Sequence, residues 1–324
     1  MSSSQETPIK VEQLPLMLAV VGPTASGKSE MAVELAERLN GEIINTDSLQ
    51  LYRYLDIGTA KPEPELRARA PHHLIDVIDP DEPFSAGRYV EEASRVIREI
   101  SDAGRVPILC GGTGLYFKAL VYGLADIPPV PAEVRAQVDQ LMALEGSPAA
   151  HEELKRLDPT YAARLHINDR ARIQRALEVV ITTGESLGTF QARDPFQEEA
   201  PGVLHLGYQW DRKVLYERIN QRVGVMLSAG WIEEVTRVLE MGFAPDVKPL
   251  RAIGYGEIIE VLQGIRAQDT LVEAIAQRTR NYAKRQLTWF RKIPGIKWVE
   301  PGELDQALAL AENFLKSKAG VPTL

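Results

Sequence analysis

The sequence predicts an α/β fold, with a P-loop-type core built on a mostly parallel sheet and interrupted by an all-helical insertion domain. First, an apolar run at residues 16–21 leads into a glycine-rich loop, and a helical pattern follows at 29–39. Second, short apolar runs alternate with helical segments, which is typical of a parallel sheet covered on both faces. Third, residues 132–187 show only helical periodicity, with leucines and alanines three or four positions apart.

The remaining elements follow from the same two patterns. Short apolar runs predict further strands at 42–45, 74–78, 106–110, 203–208 and 296–299. Helical spacing predicts a helix at about 86–103 and renewed helices from Lys213. In open parallel sheets, ligands bind beyond the carboxyl ends of the strands. We therefore expect the glycine-rich loop, Asp47 and Thr113 to meet at that edge.

The length of 324 residues suits about two domains. A proline-rich stretch at 126–131 marks the change from alternating elements to helices alone. The predicted segments are a disordered tail at 1–13, a core at 14–125 and 203–310, a helical insertion at 126–202 and a C-terminal tail at 311–324.

Composition excludes several classes of protein. The chain is 44% hydrophobic and 25% charged, which is ordinary for a globular protein. No apolar run approaches the roughly 18 residues needed to span a bilayer, and the N-terminal stretch lacks an apolar signal core. The single cysteine, Cys110, excludes an internal disulfide and a cysteine-based zinc site. These features predict a cytoplasmic protein without a membrane segment.

The glycine-rich loop matches the pattern G-x-x-x-x-G-K-[ST] of a phosphate-binding loop. Its residues are Gly22, Pro23, Thr24, Ala25, Ser26, Gly27, Lys28 and Ser29. Glycines let backbone N–H groups converge on phosphate oxygens at a helix N-terminus. Lys28 supplies a positive charge, and the Ser29 hydroxyl is a candidate ligand for Mg²⁺. The pattern fits both a nucleotide and a prenyl diphosphate.

The residues after the strand predicted at 106–110 limit the kinds of phosphate chemistry that the loop could support. In many nucleotide-hydrolysing proteins an aspartate near the corresponding strand holds the metal ion. Here the strand ends in Gly111 and Gly112 instead. This disfavours a motor or a switch, and it leaves phosphate transfer to a small acceptor or displacement of a diphosphate.

A basic strip near the C-terminus indicates a possible polyanion contact. Residues 278–292 contain six Lys or Arg and no Asp or Glu, although the whole chain has a net charge of −8. On a helix, Lys284 and Arg291 share a face that would follow a phosphate backbone, while Trp289 packs or stacks. A solvated basic face is the alternative interpretation.

Taken in order, these motifs resemble those of the tRNA dimethylallyltransferases, also called tRNA isopentenyltransferases. The similarity extends from about residue 16 to residue 299, and it points to the bacterial type because no C-terminal Cys/His finger is present. The matching stretches are 22–29, 47–50, 56–62, 71–76, 111–116, 168–169, 175–178, 251–255 and 283–291. One departure is Gly256, where the family often has a basic residue.

The resemblance implies a prenyl transfer that modifies tRNA. The dimethylallyl group of dimethylallyl diphosphate would pass to the N6 amine of adenosine at position 37, beside the anticodon, and diphosphate would leave. The phosphate loop would then hold the diphosphate of the donor, with Mg²⁺ as the cofactor. The implied partners are the anticodon stem-loop of tRNA and dimethylallyl diphosphate, and we expect a monomer.

Three residues are the predicted catalytic set. An adenine amine is a poor nucleophile, so it needs a carboxylate that removes a proton as the new bond forms. Asp47 is the candidate base, although an aspartate before serine is also a common helix cap. The resemblance places Thr113 near the reacting centre, where its hydroxyl would bond a phosphate oxygen. By analogy Arg251 would contact the diphosphate, for which a guanidinium has suitable bidentate geometry, or the tRNA, although a lone arginine there is also typical of a surface.

The target base must leave its stack to reach a pocket, so the RNA contacts should surround Asp47. Gln50 has the amide geometry to read a base edge. The resemblance also places the helical insertion and the basic strip against tRNA. The predicted tRNA contacts are Asp47, Ser48, Leu49, Gln50, Thr113, Arg135, Arg172, Gln174, Arg175, Lys284, Arg285, Gln286, Trp289 and Arg291.

Three other functions compete with this interpretation. The first is an isopentenyltransferase that acts on free AMP or ATP, the second is a small-molecule kinase, and the third is a tRNA-binding protein without catalysis. The helical insertion and the basic strip favour tRNA, because a free nucleotide needs neither.

Overall fold

The computed structural model describes residues 15–125, 127–192, 200 and 202–318. Its contacts divide the chain into two compact units, one of Met1–Gly123 with Phe196–Leu324 and the other of Leu124–Pro195. The disordered tail predicted at 1–13 lies outside the described residues. No helix within the described ranges is long and apolar enough to cross a membrane.

The first unit contains a six-stranded sheet in which every strand pairing is parallel. Its strands are β1 (Met17–Val21), β2 (Gly41–Asn45), β3 (His72–His73), β4 (Val106–Gly111), β5 (Val203–Tyr208) and β6 (Lys297–Val299). The order across the sheet is β3-β2-β4-β1-β5-β6. Five predicted strands are confirmed to within one residue at either end, and the α/β core with a mostly parallel sheet is confirmed with them.

The third strand differs from the prediction. We expected it at 74–78, whereas β3 occupies His72 and His73. Leu74 and Asp76 adopt left-handed backbone conformations, with φ of 59° and 57°, and these break an extended run. Ile78 forms only an isolated bridge with Tyr52. The prediction of a strand from the apolar residues at 74–78 was therefore wrong, because the backbone turns within this segment.

The helices follow the strands in chain order. They are α1 (Lys28–Leu39), α2 (Pro64–Arg69), α3 (Ala86–Asp102), α4 (Gly114–Val121), α5 (Ala132–Leu144), α6 (Gly146–Leu157), α7 (Pro159–Ala162), α8 (Arg170–Thr183), α9 (Leu187–Ala192), α10 (Arg212–Ser228), α11 (Trp231–Glu240), α12 (Tyr255–Leu262), α13 (Leu271–Phe290) and α14 (Leu304–Lys318). The second unit contains α5 to α9 around its own apolar core, and within its described residues it has helices and no strands.

The central strand β1 explains why helices cover both faces of the sheet. Its five residues are all buried, and successive side chains on a strand point to opposite faces. Met17, Ala19 and Val21 join a core that includes residues of α3, α4, α11, α12 and α13. Leu18 and Val20 join a second core formed mainly by α1 and α14.

The last helix corrects one predicted boundary. We expected a C-terminal tail from residue 311, but α14 continues to Lys318. Ala307 and Ala311 are buried on this helix and pack in the core beside α1. The helix is therefore part of the first unit, and residues 319–324 lie outside the described part of the chain.

His205 on β5 should make folding stability depend on pH. Its ring is 3% exposed beside Phe117 and Tyr122, and burial lowers its pKa to about 4. An unfolded histidine titrates near 6.5, so between these values the unfolded chain takes up a proton that the folded chain does not. The free energy of unfolding should be unaffected by this group above pH 6.5 and should fall by about 3 kcal/mol as the pH drops to 4.

Urea unfolding at pH 7 and at pH 4 measures this effect. The His205→Leu variant cannot titrate at this position, so it should lose about 3 kcal/mol less than the parent protein between the two pH values. An equal loss in both proteins would contradict the assignment of this pH dependence to His205.

Candidate active site

The predicted phosphate loop is a tight turn between β1 and α1. Gly27 precedes α1 with a φ of 84°, a left-handed conformation that glycine adopts without steric penalty. The helix then begins at Lys28 and runs for 12 residues. The free N–H groups and the dipole at such a helix N-terminus favour an anion. The loop therefore has the local structure of an anion-binding site.

Lys28 is a partly desolvated cation in this loop. Its ammonium nitrogen lies 3.5 Å from the Pro23 carbonyl oxygen. Burial lowers the pKa of Lys28, and the charges of Cys110 and Asp47 act in the opposite direction. Burial disfavours the charged form of a lysine, whereas a neighbouring anion favours it. A phosphate group in the loop would supply that anion.

Side chains from α10 and the segment before it hold the loop from outside. The Trp210 indole N–H donates to the Ser26 carbonyl at 2.8 Å, and Arg218 Nε donates to the Ala25 carbonyl at 3.0 Å. The Arg218 guanidinium also lies 4.4 Å from the centre of the Trp210 ring. These contacts fix two consecutive carbonyl groups of the loop before any ligand arrives.

Arg222 is a second cation at the loop that sequence analysis missed. Its guanidinium lies 3.4 Å from the Thr24 hydroxyl oxygen. Burial lowers the pKa of Arg222, and the charges of Glu30 and Asp47 oppose that shift. The only available signal was the spacing of Arg218 and Arg222, which puts both on one face of a helix. Nothing in the sequence shows that this face meets the loop.

Asp47 follows the carboxyl end of β2, as predicted. Its backbone N–H donates to the Asn45 side-chain oxygen at 2.9 Å. One carboxylate oxygen, Oδ1, accepts the Leu49 backbone N–H at 2.9 Å. Within the described residues the other oxygen, Oδ2, accepts no hydrogen bond. The carboxylate is therefore anchored like a cap through one oxygen and retains the other as an acceptor.

Thr113 is hydrogen-bonded to Ser48, the residue that follows Asp47. The Thr113 hydroxyl oxygen accepts the Ser48 backbone N–H at 2.9 Å and lies 3.2 Å from the Ser48 hydroxyl. The Thr113 N–H donates to the Thr46 carbonyl at 3.2 Å. These hydrogen bonds join the loops after β2 and β4. The two loops lie close together because β2 and β4 are neighbours in the sheet.

A small cavity brings the predicted residues together. Lys28, Ser29, Asp47 and Gln50 all line it. The Gln50 amide nitrogen donates to the Thr59 and Ala60 carbonyls at 3.2 and 3.1 Å. Gln50 therefore has its side-chain oxygen left for a ligand, which makes it an acceptor in any contact with a base edge.

The donor atoms at this cavity fit Mg²⁺. Ser29 Oγ is a hard oxygen donor of the kind that Mg²⁺ prefers, and the Asp47 carboxylate in the same cavity adds negative charge that favours a cation. Among the described residues, no group of three or more His, Cys, Asp or Glu side chains could hold a metal by itself. The arrangement suits an ion that is bound mainly through substrate phosphates and water, with one or two protein ligands.

Gln286 does not fit the tRNA contact that we predicted. It is 6% exposed on α13. Its side-chain oxygen accepts the Thr24 N–H at 2.9 Å, and its amide nitrogen donates to the Gly112 carbonyl at 2.9 Å. The side chain is thus buried and hydrogen-bonded at both ends within the protein, which argues against a direct contact with RNA.

Other predicted residues of the basic strip do share a surface. A depression of about 440 Å³ on α13 is lined by Asn281, Lys284, Arg285, Thr288, Trp289 and Lys292. Arg291 follows the helix and is exposed. Folding also neutralises part of the strip, because Arg278 pairs with Glu257 and Arg280 pairs with Glu273. Trp289 packs edge-on against Phe117 and Phe290.

Arg251 has no contact that links it to the loop. It is exposed at the end of a short 3-10 helix, Lys248–Arg251, where its side chain donates to the Asp246 carbonyl. No hydrogen bond or ion pair joins it to residues 22–29 in the described part of the chain. Its catalytic role stays a prediction.

The predicted contacts in the second unit lie on its helices α5 and α8. Arg135 is exposed on α5, and on α8 Arg172 pairs with Asp169 at 3.3 Å. Gln174 donates to Asp139 at 2.7 Å, and Arg175 pairs with Glu178 at 3.3 Å. Their tRNA contacts stay predictions. The Arg172–Asp169 pair lies at the surface between residues three positions apart, and such ion pairs are weak.

A buried carboxylate explains why two of the matching stretches occur together. Glu234 is 1% exposed and accepts the backbone N–H groups of Asp56, Ile57 and Gly58 at 2.7 to 3.1 Å. It also accepts the Tyr255 hydroxyl at 2.8 Å. The stretches 56–62 and 251–255 therefore meet at one side chain that sequence analysis did not single out.

Known proteins resemble this chain over most of its length. The family model of IPP transferases matches residues 50–293. A tRNA dimethylallyltransferase of Geobacter sulfurreducens is 50% identical over 299 residues, which is 92% of this chain and 96% of that protein. A relative of the same name from Syntrophobacter fumaroxidans is 46% identical over 90% of this chain and 84% of its own length.

Solved structures give the same result. The tRNA isopentenylpyrophosphate transferase of Bacillus halodurans superimposes with a TM-score of 0.69 at 36% identity, covering 94% of this chain and 98% of that one. A eukaryotic dimethylallyltransferase acting on tRNA reaches a TM-score of 0.80 at 26% identity over 95% of this chain and 80% of its own. The chain therefore belongs to the IPP transferase family.

Proposed function

We propose that the protein transfers the dimethylallyl group of dimethylallyl diphosphate to N6 of adenosine 37 in tRNA and releases diphosphate. The observation that carries the proposal is the cavity in which Lys28 and Ser29 of an anion-binding loop meet the Asp47 carboxylate. This displacement needs a site that stabilises the leaving diphosphate and a group that accepts the proton of the amine. The names of the relatives, which include a eukaryotic dimethylallyltransferase acting on tRNA, support the same reaction.

The donor half of the site stabilises a leaving group. The bond between the allylic carbon and the bridging oxygen breaks, and its electron pair leaves with the diphosphate. Loop N–H groups, Lys28 and Arg222 are fixed before the reaction, so they stabilise this charge with little reorganisation. Ser29 would help to hold Mg²⁺, which when bound would supply further neutralisation of the charge on the leaving diphosphate.

The acceptor half of the site activates the adenine amine. The N6 nitrogen forms the new bond to the allylic carbon, and Asp47 Oδ2 takes its proton while Oδ1 keeps the carboxylate oriented through Leu49. Gln50 would accept a hydrogen bond from a base edge. Thr113 keeps the loop of Asp47 in place through Ser48.

The RNA itself would lie on the basic surface of α13, where the depression lined by Lys284 and Arg285 suits a phosphate backbone. Arg135, Arg172, Gln174 and Arg175 of the helical insertion are further proposed contacts. We expect the protein to be a monomer and, because its proposed substrate is tRNA, to act in the cytoplasm.

Incubation with labelled dimethylallyl diphosphate and Mg²⁺ tests the proposal. Parallel reactions contain unmodified tRNA, AMP or ATP as the added substrate. We expect the label in tRNA at adenosine 37 and none in AMP or ATP. Label in AMP or ATP but not in tRNA would indicate a free-nucleotide enzyme, and conversion of ATP to ADP without any transfer of label would indicate a kinase.

A further inference from the structure

Gln286, the buried glutamine of α13, connects the phosphate loop to the loop after β4, which contains Thr113. Its oxygen holds Thr24 in the phosphate loop, and its nitrogen holds Gly112 in the loop that leads to Thr113. Both distances are 2.9 Å, which is the usual length of an amide hydrogen bond. The Thr24 N–H is thereby occupied, so it fixes the loop and does not bind a phosphate.

The Gln286 amide is tightly packed on the side that faces Gly112. A Cβ atom built on Gly112 would lie 2.4 Å from the Gln286 amide nitrogen and 3.6 Å from the Gly22 carbonyl oxygen. Any residue larger than glycine would have to push the Gln286 amide away. The strands β1 and β4 are paired up to Val21 and Gly111, and the Gln286 side chain fixes the spacing of the two loops beyond the ends of those strands.

Tyr282 extends this connection toward the acceptor side. It lies one helical turn before Gln286, and the side chains of Gln286 and Thr113 are both close enough to its hydroxyl to lower the pKa that burial raises. Thr113 in turn accepts the Ser48 N–H, next to Asp47. A continuous series of polar contacts thus leads from the phosphate loop to the residue beside the catalytic carboxylate.

We propose that Gln286 is a positioning residue that sets the distance between the leaving diphosphate and the attacking adenine, an inference that rests on the proposed function. Transfer requires the reacting atoms to be held about 3 to 3.5 Å apart, and a displacement of about 1 Å reduces the rate by about 10²-fold. Losing the bridge separates the loops without removing a group that touches either substrate. The turnover number should fall while the affinities for the two substrates remain.

Two variants at this position and one matched control test the inference. Gln286→Glu places an anionic oxygen against the Gly112 carbonyl, and Gln286→Leu removes both hydrogen bonds at similar volume. The control is Gln277→Glu, the same substitution at an exposed position of the same helix. We expect single-turnover prenyl transfer to fall about 10²-fold in both Gln286 variants and to stay at the parent rate in the control. Binding of tRNA and of inorganic diphosphate should change less than about threefold.

A pH profile separates positioning from a general loss of structure. A protonated glutamic acid again offers one donor and one acceptor, and its pKa should be raised by burial. The rate of Gln286→Glu relative to Gln277→Glu should therefore recover as the pH falls from 8 to 6, whereas Gln286→Leu should show no recovery. Normal turnover in both variants, or loss of substrate binding in parallel with turnover, would overturn the inference. If the parent protein and Gln277→Glu transferred no label, the proposed function itself would fail instead.

Discussion

Replacing Asp47 by asparagine is expected to slow prenyl transfer to tRNA by about 10³-fold, because a positioned general base contributes about 10² to 10⁴ to such a step. Asparagine keeps the oxygen that accepts the Leu49 N–H, so the local turn should survive. It lacks the second carboxylate oxygen that would take the proton from N6. The measurement is the single-turnover rate with saturating dimethylallyl diphosphate, together with the dissociation constant for tRNA, which should stay within a few fold.

Asp158→Asn is the matched control. Asp158 also accepts a backbone N–H at the start of a helix, that of Tyr161 at 3.0 Å, but it belongs to the second unit. If Asp47 acted only as a cap, the two asparagine variants would show similar and small effects on turnover. Near-normal transfer by Asp47→Asn would remove it as the base.

Replacing Lys28 by methionine should lower the transfer rate by about 10² to 10³, the usual effect of removing one preorganised group that stabilises developing charge. The length of the side chain is retained, and only the cation is lost. Turnover should fall even at saturating donor, because the charge on the diphosphate is greatest in the transition state. Lys316→Met, on the exposed face of α14, serves as the control and should transfer at the parent rate.

The pH dependence of the parent protein gives an independent check on Lys28. Burial lowers the pKa of this lysine, so the empty enzyme should lose the cation at a lower pH than an ordinary lysine would. Binding of inorganic diphosphate should therefore weaken on the alkaline side, and it should do so less in Lys28→Met, which has no charge to lose. An identical alkaline weakening in both proteins would rule out Lys28 as its cause.

The parts of the site that depend on local sequence were predictable. Spacing of glycine, lysine and serine between a strand and a helix defines the phosphate loop, and parallel strands bring Asp47 and Thr113 to the same edge. The resemblance to a family supplied the identity of the donor and the acceptor. These predictions did not require knowledge of how helices that are distant in the sequence pack together.

What could not be predicted depends on long-range contacts. Arg222 meets the phosphate loop across 198 positions of sequence, and no local pattern indicates that meeting. Gln286 was predicted on the RNA side because it belongs to the stretch 283–291, which the resemblance places against tRNA. Yet it lies three residues from Ala283 and four from Phe290, both buried, so helical periodicity already placed it on the inner face. The resemblance was given more weight than position, and a buried glutamine is uncommon.

The braced phosphate loop has a consequence for how the enzyme tolerates mutation. Trp210 and Arg218 hold its backbone from outside, so the entropy of ordering the loop is lost when the chain folds and not when a ligand binds. Substitutions in either apolar core should therefore change how much protein is folded without weakening the affinity of the folded molecules for diphosphate. Natural sequence drift in those cores can then proceed independently of substrate affinity, as long as these two contacts are kept.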